Sequence, residues 1–410
     1  MKTKLFSISI FVATAVIVSF FPNIQNALAK PALSPSIIDP VDITQMENNG
    51  SLNNERPKIE VVFVLDTTGS MSGLIEAAKE KIWSIASTMA SAQTAPEIKM
   101  GLVAYRDRGD AYVTRSVALS DDLDSMYAQL MDFQAAGGGD TPESVNQALF
   151  EAVNNMTWSQ QSQTYKVIFL VGDAPAHMDY QDDVKYPQTI NIAKQKDITI
   201  NTIQAGQSSA TRTNWQQLAT LGNGKYFQVE QAGNAVAIST PYDKKMAELS
   251  AQLDATRLYY GNPEKKAKQA IKLASTRKLQ KQASDEALAR RATYNSSATG
   301  KINFLGEGEL VDAVSNGEVD LSSIEKKELP ESLQALTPLQ QQAVIIKAKN
   351  ERNRIHSEIS QLIEQRSSYL KKEVASRGGE KDSFDAKIFG AIRAQASQKG
   401  MIYDDDSAKY

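Results

Sequence analysis

Residues 61–72 read VVFVLDTTGSMS, and this stretch decides the fold prediction. An apolar run over residues 59–65 ends on Asp66, as in a central strand of a parallel sheet that is covered on both faces. Asp66 is therefore expected at the carboxyl edge of the sheet, where open α/β folds place their ligand sites. Thr68 and Ser70 follow at alternate positions, so one carboxylate and two hydroxyls lie on one short loop.

The three oxygen side chains of this loop suit a hard divalent cation. Mg²⁺ takes oxygen ligands in near-octahedral geometry, and Asp66, Thr68 and Ser70 would supply half of such a shell. The alternative is an ordinary turn in which a serine caps the helix that follows.

Two further segments carry oxygen side chains. Residues 137–143, GGGDTPE, form a glycine-rich loop that leads into a helix, and residues 167–173, VIFLVGD, form a second apolar strand that ends on Asp173. Residues 141–143, TPE, have the pattern of a helix start: Thr141 as N-cap, then a proline, then an acidic residue. We expect Thr141 to cap this helix while its hydroxyl points towards the cation.

These positions resemble the metal-ion-dependent adhesion site of the von Willebrand factor A family over about residues 58–230. Five positions on three loops occur in the order that the family shows: Asp66, Thr68, Ser70, Thr141 and Asp173. The usual family form has Ser where this chain has Thr68, and Thr keeps the hydroxyl. The resemblance implies that these five residues hold one divalent cation, Mg²⁺ or else Mn²⁺ or Ca²⁺.

Short apolar runs alternate with helical patterns from residue 59 onwards. This alternation predicts an α/β fold with a doubly wound, mainly parallel sheet of six strands. Strands are expected at residues 59–66, 98–105, 112–119, 166–173, 198–205 and 226–230, and helices at 72–90, 123–133, 143–155, 188–197, 214–221 and 234–255. Only residues 106–111 join the second and third strands, too few for a parallel crossover, so this pair should be antiparallel. The resemblance implies the same arrangement, with the third strand at an edge.

The start of the chain has the features of a signal peptide. Lys2 and Lys4 precede an apolar run over residues 5–21, and residues 27–29, ALA, match a signal peptidase site. We therefore expect an exported protein of the bacterial cell envelope, periplasmic or secreted, with no membrane contact unless the segment stays uncleaved as an anchor. The absence of cysteine excludes disulfide bonds.

Five regions are expected along the chain. Residues 1–29 are the signal peptide, 30–57 a linker and 58–256 the von Willebrand factor A domain. A connecting region over residues 257–330 is partly helical and partly irregular, and residues 331–410 form a mainly helical C-terminal region. Within it, residues 339–375 read as a long helix with one apolar face, which includes Ile355 and Ile359. We expect that face to pack against residues 384–401 or a neighbouring segment, with a two-chain coiled coil as the alternative.

Charge and composition restrict the possible partners and chemistry. A formal net charge of −3 gives no basic excess for binding nucleic acid. With no cysteine, two histidines and none of the common catalytic motifs, the sequence does not predict an enzyme. His177 is interpreted as a surface loop residue rather than a metal ligand. The acidic residues between positions 107 and 124 are interpreted as solvated, with a second cation site as the alternative.

The function that these observations favour is metal-dependent protein binding. With neutral hydroxyls as the main ligands, a bound Mg²⁺ would keep enough charge to attract an Asp or Glu carboxylate of a protein partner. One alternative is an envelope scaffold that recognises partners through the helical C-terminal region. The other is metal-assisted hydrolysis, for which the sequence offers no evident general base.

Overall fold

The first strand forms over an apolar stretch rich in β-branched residues. The computed structural model describes residues 56–139, 141–233, 238–376 and 384–404. The expected signal peptide and all but the last two residues of the expected linker lie outside the described residues. Strand β1, Lys58–Asp66, is buried over almost its whole length, so the apolar run indicated the correct element.

Within the described ranges, six strands form one sheet in the order β3-β2-β1-β4-β5-β6. The further strands are β2 (Glu97–Tyr105), β3 (Thr114–Ser120), β4 (Tyr165–Gly172), β5 (Ile198–Ala205) and β6 (Asn223–Val229). All neighbouring pairs are parallel except β2 with β3, which is antiparallel at the edge of the sheet. The predicted fold class and the predicted edge strand are both confirmed. The order reverses beside β1, and at such a point α/β sheets open a crevice for ligands.

Helices cover both faces of the sheet. They are α1 (Ser72–Met89), α2 (Leu123–Leu130), α3 (Val145–Asn154), α4 (Tyr186–Gln195) and α5 (Ser209–Leu221). Successive side chains of β1 alternate between the faces: Phe63 belongs to the apolar core with α1 and α2, whereas Val64 belongs to the core with α3, α4 and α5. The sheet therefore separates two hydrophobic cores.

A second set of helices follows the last strand. They are α6 (Asp243–Ala255), α7 (Pro263–Gln282), α8 (Asp285–Asn295), α9 (Ala298–Leu305), α10 (Leu310–Ser315), α11 (Glu331–Gln334), α12 (Pro338–Ser376) and α13 (Phe384–Ala396), with 3₁₀ turns at Gly69–Met71, Leu321–Ser323 and Ser397–Lys399. Helix α7 packs on α2, and α8 packs on both α1 and α6. The helical layer thus lies directly against the α1 face of the sheet.

Helix α13 completes that face although it lies far from the sheet in sequence. It packs on α1, β4 and β6, and its residues Ile388 and Ile392 belong to the same core as Phe63. Gln395 of α13 pairs with Asn201 of β5 through two hydrogen bonds of 2.8 and 3.0 Å and accepts a third from the Tyr165 hydroxyl. The core of the sheet therefore includes the C-terminal helix.

The long helix α12 has the apolar face that the sequence predicted, and of the two expected partners neighbouring segments rather than residues 384–401 cover it. Ile355 and Ile359 are fully buried in a core with α6, α8 and α9, and other parts of α12 pack on α10. The face is therefore occupied within the chain by α6 and α8 rather than by residues 384–401 or by a second chain. Helical periodicity indicates which face is buried, but it does not indicate what covers it.

The helices of the described residues do not meet the requirements of a membrane span. None of those in residues 56–139, 141–233, 238–376 and 384–404 is both long enough and apolar enough to cross a bilayer. The apolar run at residues 5–21 lies outside these ranges.

Candidate metal centre

The loop after β1 brings its three predicted oxygen side chains together. The Asp66 carboxylate accepts hydrogen bonds through Oδ1 from the Thr68 backbone N–H, at 2.9 Å, and from the Thr68 hydroxyl, at 2.7 Å. The hydroxyls of Thr68 and Ser70 are 3.4 Å apart. Asp66 and Thr68 are buried whereas Ser70 is exposed, so the group opens towards solvent through Ser70.

Asp173 follows β4, the strand next to β1, and reaches the same place. The negative charge of Asp173 is close enough to repel the negative charge of the Asp66 carboxylate. Gln231, just after β6, donates one hydrogen bond of 2.7 Å to the Asp173 carboxylate and another of 3.1 Å to the Ser70 carbonyl. This glutamine connects the two loops that carry the predicted site, and nothing in the sequence indicated its role.

The other oxygen of Asp66 has no partner among the described residues. Asp66 is fully buried, and its Oδ2 atom receives no hydrogen bond there. Burial raises the pKa of Asp66 to about 7, with the Thr68 hydrogen bonds opposing the shift and the Asp173 charge adding to it. A buried carboxylate without a counter-charge is costly, and a cation beside Oδ2 would remove that cost.

Thr141 occupies the expected loop but not the expected structural role. Helix α3 begins at Val145 with Ser144 as its N-cap residue, so the prediction of Thr141 as N-cap and of a helix start at residue 143 is wrong. The turn between Thr141 and the helix is instead held by a bridge between Glu143 and Ala176. Thr141 is exposed, and its hydroxyl makes no hydrogen bond to the other predicted ligands in the described part of the chain.

The glycine-rich loop itself touches the loop after β1. The Gly69 N–H donates a hydrogen bond of 3.1 Å to the Gly137 carbonyl. A Cβ atom added to Gly138 would lie 3.1 Å from the Thr68 Cβ atom and 3.7 Å from Glu143 Oε1. The structure thus brings the loop that carries Thr141 to the site, with Thr141 itself exposed.

Two buried residues that the sequence did not indicate complete the surroundings. Glu143 and Tyr105 each have an oxygen without a hydrogen-bond partner in the described residues, as Asp66 does. A Cβ atom on Gly172 would lie 2.5 Å from the Tyr105 hydroxyl and 3.1 Å from Asp66 Oδ2, so these two oxygens border one narrow space. Burial and the charges of Asp66 and other nearby carboxylates raise the pKa of Glu143 to about 9. No periodicity or spacing in the sequence indicates such a cluster, because its members come from three separate segments.

His177 is buried rather than a surface loop residue, which corrects the sequence interpretation. Its ring stacks on Tyr180 with centroids 4.0 Å apart, and its two nitrogens lie 2.7 Å from Asp179 Oδ1 and 3.4 Å from Asp107 Oδ2. Asp107 in turn accepts hydrogen bonds from Ser144 and Tyr180. This cluster fixes the loop after Asp173 against the start of α3.

The acidic residues between positions 107 and 124 do not form a second cation site. Asp110 accepts hydrogen bonds from the Gly138 N–H, Asp122 caps α2 and pairs with Lys272, and Asp124 pairs with Arg291. Their carboxylates are therefore used separately, in loop support, helix capping and ion pairs.

The donor set at the edge of the sheet fits a hard cation. Within the described ranges, no group of three or more His, Cys, Asp or Glu side chains is arranged to bind a metal ion directly. A cation here would therefore depend on the hydroxyls of Thr68 and Ser70 beside the carboxylates of Asp66 and Asp173. Oxygen donors of this kind suit Mg²⁺, Mn²⁺ or Ca²⁺ better than softer metals.

Comparison with known sequences gives one family match and one distant relative. Residues 60–241 match the family model described as von Willebrand factor A domain, which is less than half of the 410-residue chain. A putative ariadne-like RING finger protein of Acanthamoeba polyphaga mimivirus is 25% identical over 157 residues. That match covers 38% of this chain and 15% of the viral protein, so the chain spans only a small part of its length.

Solved structures with a similar sheet cover less than half of this chain. Proximal thread matrix protein 1 from the mussel byssus gives a TM-score of 0.34 at 12% identity, covering 43% of this chain and 42% of the other. The same protein with a zinc-occupied MIDAS motif gives 0.34 at 13% identity, covering 42% of each chain. The SpRpn10 VWA domain gives 0.33 at 15% identity, covering 45% of this chain and 95% of the other. TM-scores this low do not establish the fold. The fold is therefore assigned from the strand order and register of this chain.

Proposed function

We propose that this chain, whose residues 60–241 match the family model of the von Willebrand factor A domain, is a metal-dependent protein-binding module. The cation is held at the carboxyl edge of the sheet by Asp66, Thr68, Ser70 and Asp173, with Thr141 joining from the glycine-rich loop. The partner supplies an Asp or Glu carboxylate to the open position of the cation. The observation that carries the proposal is the buried Asp66 Oδ2 atom, which has no partner in the described residues and borders the same narrow space as the Tyr105 hydroxyl.

The chemistry of the proposed ligands explains why a partner carboxylate would bind. A bound Mg²⁺ supplies a concentrated positive charge to which an outside anion is attracted. Thr68 and Ser70 contribute neutral hydroxyls, and the Asp66 carboxylate already accepts two hydrogen bonds through Oδ1. Part of its negative charge is therefore offset by these donors, and the cation keeps charge for the partner. The exposed position of Ser70 leaves that side of the site accessible.

The choice among divalent cations follows from the donor atoms. A zinc-occupied MIDAS motif is named for the mussel byssus protein. In this chain the proposed ligands are carboxylates and hydroxyls, whereas the His177 ring is already engaged by Asp179 and stacked on Tyr180. We therefore propose Mg²⁺ as the physiological ion, with Mn²⁺ and Ca²⁺ as substitutes.

Binding rather than turnover is the proposed role. A metal-activated water would need a base that receives its proton, and His177 is held in a buried cluster rather than facing the open side. We also propose that the protein acts outside the cytoplasm, in the periplasm or after secretion. That part of the proposal is supported by the sequence of residues 1–29 alone.

Titration calorimetry tests the proposed cation site. Mg²⁺ should bind to the wild-type protein in a one-to-one ratio, and Asp66→Ala should abolish binding while the protein remains folded. Asp121→Ala is the matched control, because Asp121 is an exposed residue on another strand-end loop. Equal Mg²⁺ affinity in wild type and Asp66→Ala would refute the proposed site.

Capture of partners from an envelope extract then tests the second half of the proposal. Proteins retained by the immobilised wild type in Mg²⁺ should be released by a chelator and should not be retained by Asp66→Ala. Retention that is equally strong in chelator would favour recognition through the helical region instead.

A further inference from the structure

Glu143 is a buried acid for which neither the fold nor the proposed ligand set gives a role. Its side chain is 3% exposed, and its Oε2 atom receives no hydrogen bond within the described part of the chain. Its backbone is held firmly: the N–H donates to the Pro175 carbonyl at 2.9 Å, and the carbonyl accepts from the His177 N–H at 3.0 Å. A residue fixed in this way, with an unpartnered carboxylate, requires a further explanation.

The carboxyl group of Glu143 faces the proposed cation site. It lies beside Gly138, whose added Cβ atom would touch both Glu143 and Thr68. It is also close enough to Asp66 and Asp173 for their charges to act on it. Glu143 therefore belongs to the same electrostatic environment as the two acids proposed to hold the ion.

The geometry also limits how Glu143 can act. The described residues include no set of three acidic or imidazole side chains close enough to bind one metal directly. Asp66, Asp173 and Glu143 therefore do not form a three-carboxylate shell, and a contact between Glu143 and the ion through an intervening group fits this arrangement. Water is the natural choice, because Mg²⁺ keeps several of its waters in protein sites.

We propose that the Glu143 carboxylate accepts a hydrogen bond from a water molecule bound to the cation and thereby strengthens cation binding. The inference rests on the proposed function, since it needs a cation at Asp66. In this role Glu143 positions one metal-bound water. The partner carboxylate then meets an ion whose bound water is already held in place. Residues that hold the ligands of a metal in this way typically contribute 10- to 100-fold in affinity.

The test compares Glu143→Gln with the wild type by Mg²⁺ calorimetry. Gln has the same shape but cannot carry the negative charge, so the Mg²⁺ affinity should fall by about tenfold or more. The metal-free variant should be at least as stable as the wild type, because the substitution removes a buried acid from a cluster of acids. Glu151→Gln, on the surface side of α3 where Glu151 bonds Ser116 and Asn155, should leave both quantities unchanged.

A second readout determines whether the contact passes through water. Tb³⁺ bound in place of Mg²⁺ reports its number of bound waters through luminescence lifetimes in H₂O and D₂O. That number should be equal in wild type and Glu143→Gln. An additional water in the variant would mean that Glu143 is a direct ligand and would overturn the water-mediated role.

The outcomes separate this inference from the proposed function. If Asp66→Ala loses Mg²⁺ but Glu143→Gln binds it with wild-type affinity, only the role of Glu143 is refuted. If Asp66→Ala also keeps wild-type affinity, the proposed site itself fails. A lower stability of metal-free Glu143→Gln would show that the acid has a structural role, and this too would contradict the proposal.

Discussion

Gly172 lies between the Tyr105 hydroxyl and the Asp66 side chain, so its lack of a Cβ atom determines the space available at the site. In Gly172→Ala the added carbon would lie 2.5 Å from the Tyr105 oxygen and 3.0 Å from the Asp66 Cβ atom. We expect a loss of about 1–3 kcal/mol in the free energy of unfolding, as for other overpacked cores. Mg²⁺ affinity should fall as well, because Asp66 must move.

The control for this substitution is Gly390→Ala in α13. An added Cβ atom there meets no described atom within 4 Å, so stability should be unchanged or slightly higher. Urea unfolding and Mg²⁺ calorimetry on both variants provide the comparison. Wild-type stability and affinity in Gly172→Ala would show that the space around Asp66 is wider than the structure indicates.

Asp66 and Glu143 make the stability of the metal-free protein depend on pH. Their pKa values are about 7 and about 9, each raised first by burial, against roughly 4 in an unfolded chain. The folded state therefore holds these protons more tightly. The contribution of these two protons to the free energy of unfolding is fully present below about pH 4. It is lost as pH rises through about 7 and then about 9. The charges of Asp66, Asp107, Asp110 and Asp173 act on Glu143 and add to this loss.

Thermal melting in EDTA should therefore occur at lower temperatures as pH rises from about 5 to about 9. The increase in melting temperature on adding Mg²⁺ should grow over the same range, because the cation binds the ionised carboxylates. The double variant Asp66→Asn with Glu143→Gln should show a much weaker pH dependence. A wild-type melting temperature that rises with pH in EDTA would contradict the raised pKa values.

At the residue scale, local spacing predicted which side chains of the loop after β1 lie together. Asp66, Thr68 and Ser70 share one loop, so alternate positions were enough to predict their convergence. Glu143 was assigned only a helix-dipole role, because its neighbours at the site come from other segments. The Thr-Pro-Glu pattern also misplaced the helix start, because tertiary pairing of Glu143 with Ala176 decides the backbone there.

Helices α2, α6 and α8 are joined by one buried arginine, Arg291. Its guanidinium forms two hydrogen bonds of 2.6 Å with Asp124 and bonds of 2.9 and 3.0 Å with Asp254. Burial alone would raise the pKa of Asp124, but the Arg291 charge and hydrogen bonds outweigh it and hold that pKa well below its usual range. Arg291→Met should cost about 3–5 kcal/mol, because both carboxylates would stay buried without this partner.

Arg354→Met is the matched control for the Arg291 substitution. Arg354 pairs with Glu351 and Glu358 on the exposed surface of α12, where solvent screens the charges, so its loss should change stability little. Urea unfolding of both variants provides the comparison. Equal losses would mean that the Arg291 cluster does not join the helical layer to the sheet.

At the element scale, strand prediction succeeded because a sheet buried on both faces leaves continuous apolar runs in the sequence. The long polar helix was also found, yet its partners were not. Ile355 and Ile359 marked one face, but the choice of α6 and α8 to cover it depends on tertiary packing that no local pattern encodes. The helix α13 likewise gave no sign that its Gln395 would pair with Asn201 across nearly two hundred residues.

The whole molecule depends on its C-terminal helix, because α13 supplies part of the core on the α1 face. A chain that ends at residue 383 would expose that face of the sheet and leave Asn201 and Tyr165 without Gln395. We expect this truncated chain to aggregate or to bind hydrophobic dyes, rather than to fold as the full chain does. Residues 58–256 alone should behave in the same way.

Point substitutions test the same dependence without removing residues. Ile388 is fully buried in that core, whereas Ile402 is 59% exposed. Ile388→Asp should destabilise the protein strongly, because it buries an unpaired charge, and Ile402→Asp should behave like wild type. A soluble, cooperatively folding fragment of residues 58–256 would show instead that the sheet has a sufficient core of its own.

The direct measurement of the central claim is the position of a bound ion in crystals grown with Mn²⁺. Anomalous diffraction at the manganese edge should show one peak at the carboxyl edge of the sheet, among the oxygens of Asp66, Thr68, Ser70 and Asp173. The same crystals of Asp66→Ala should lack it. A wild-type crystal without a peak at this place, or with its peak elsewhere on the protein, would contradict the account.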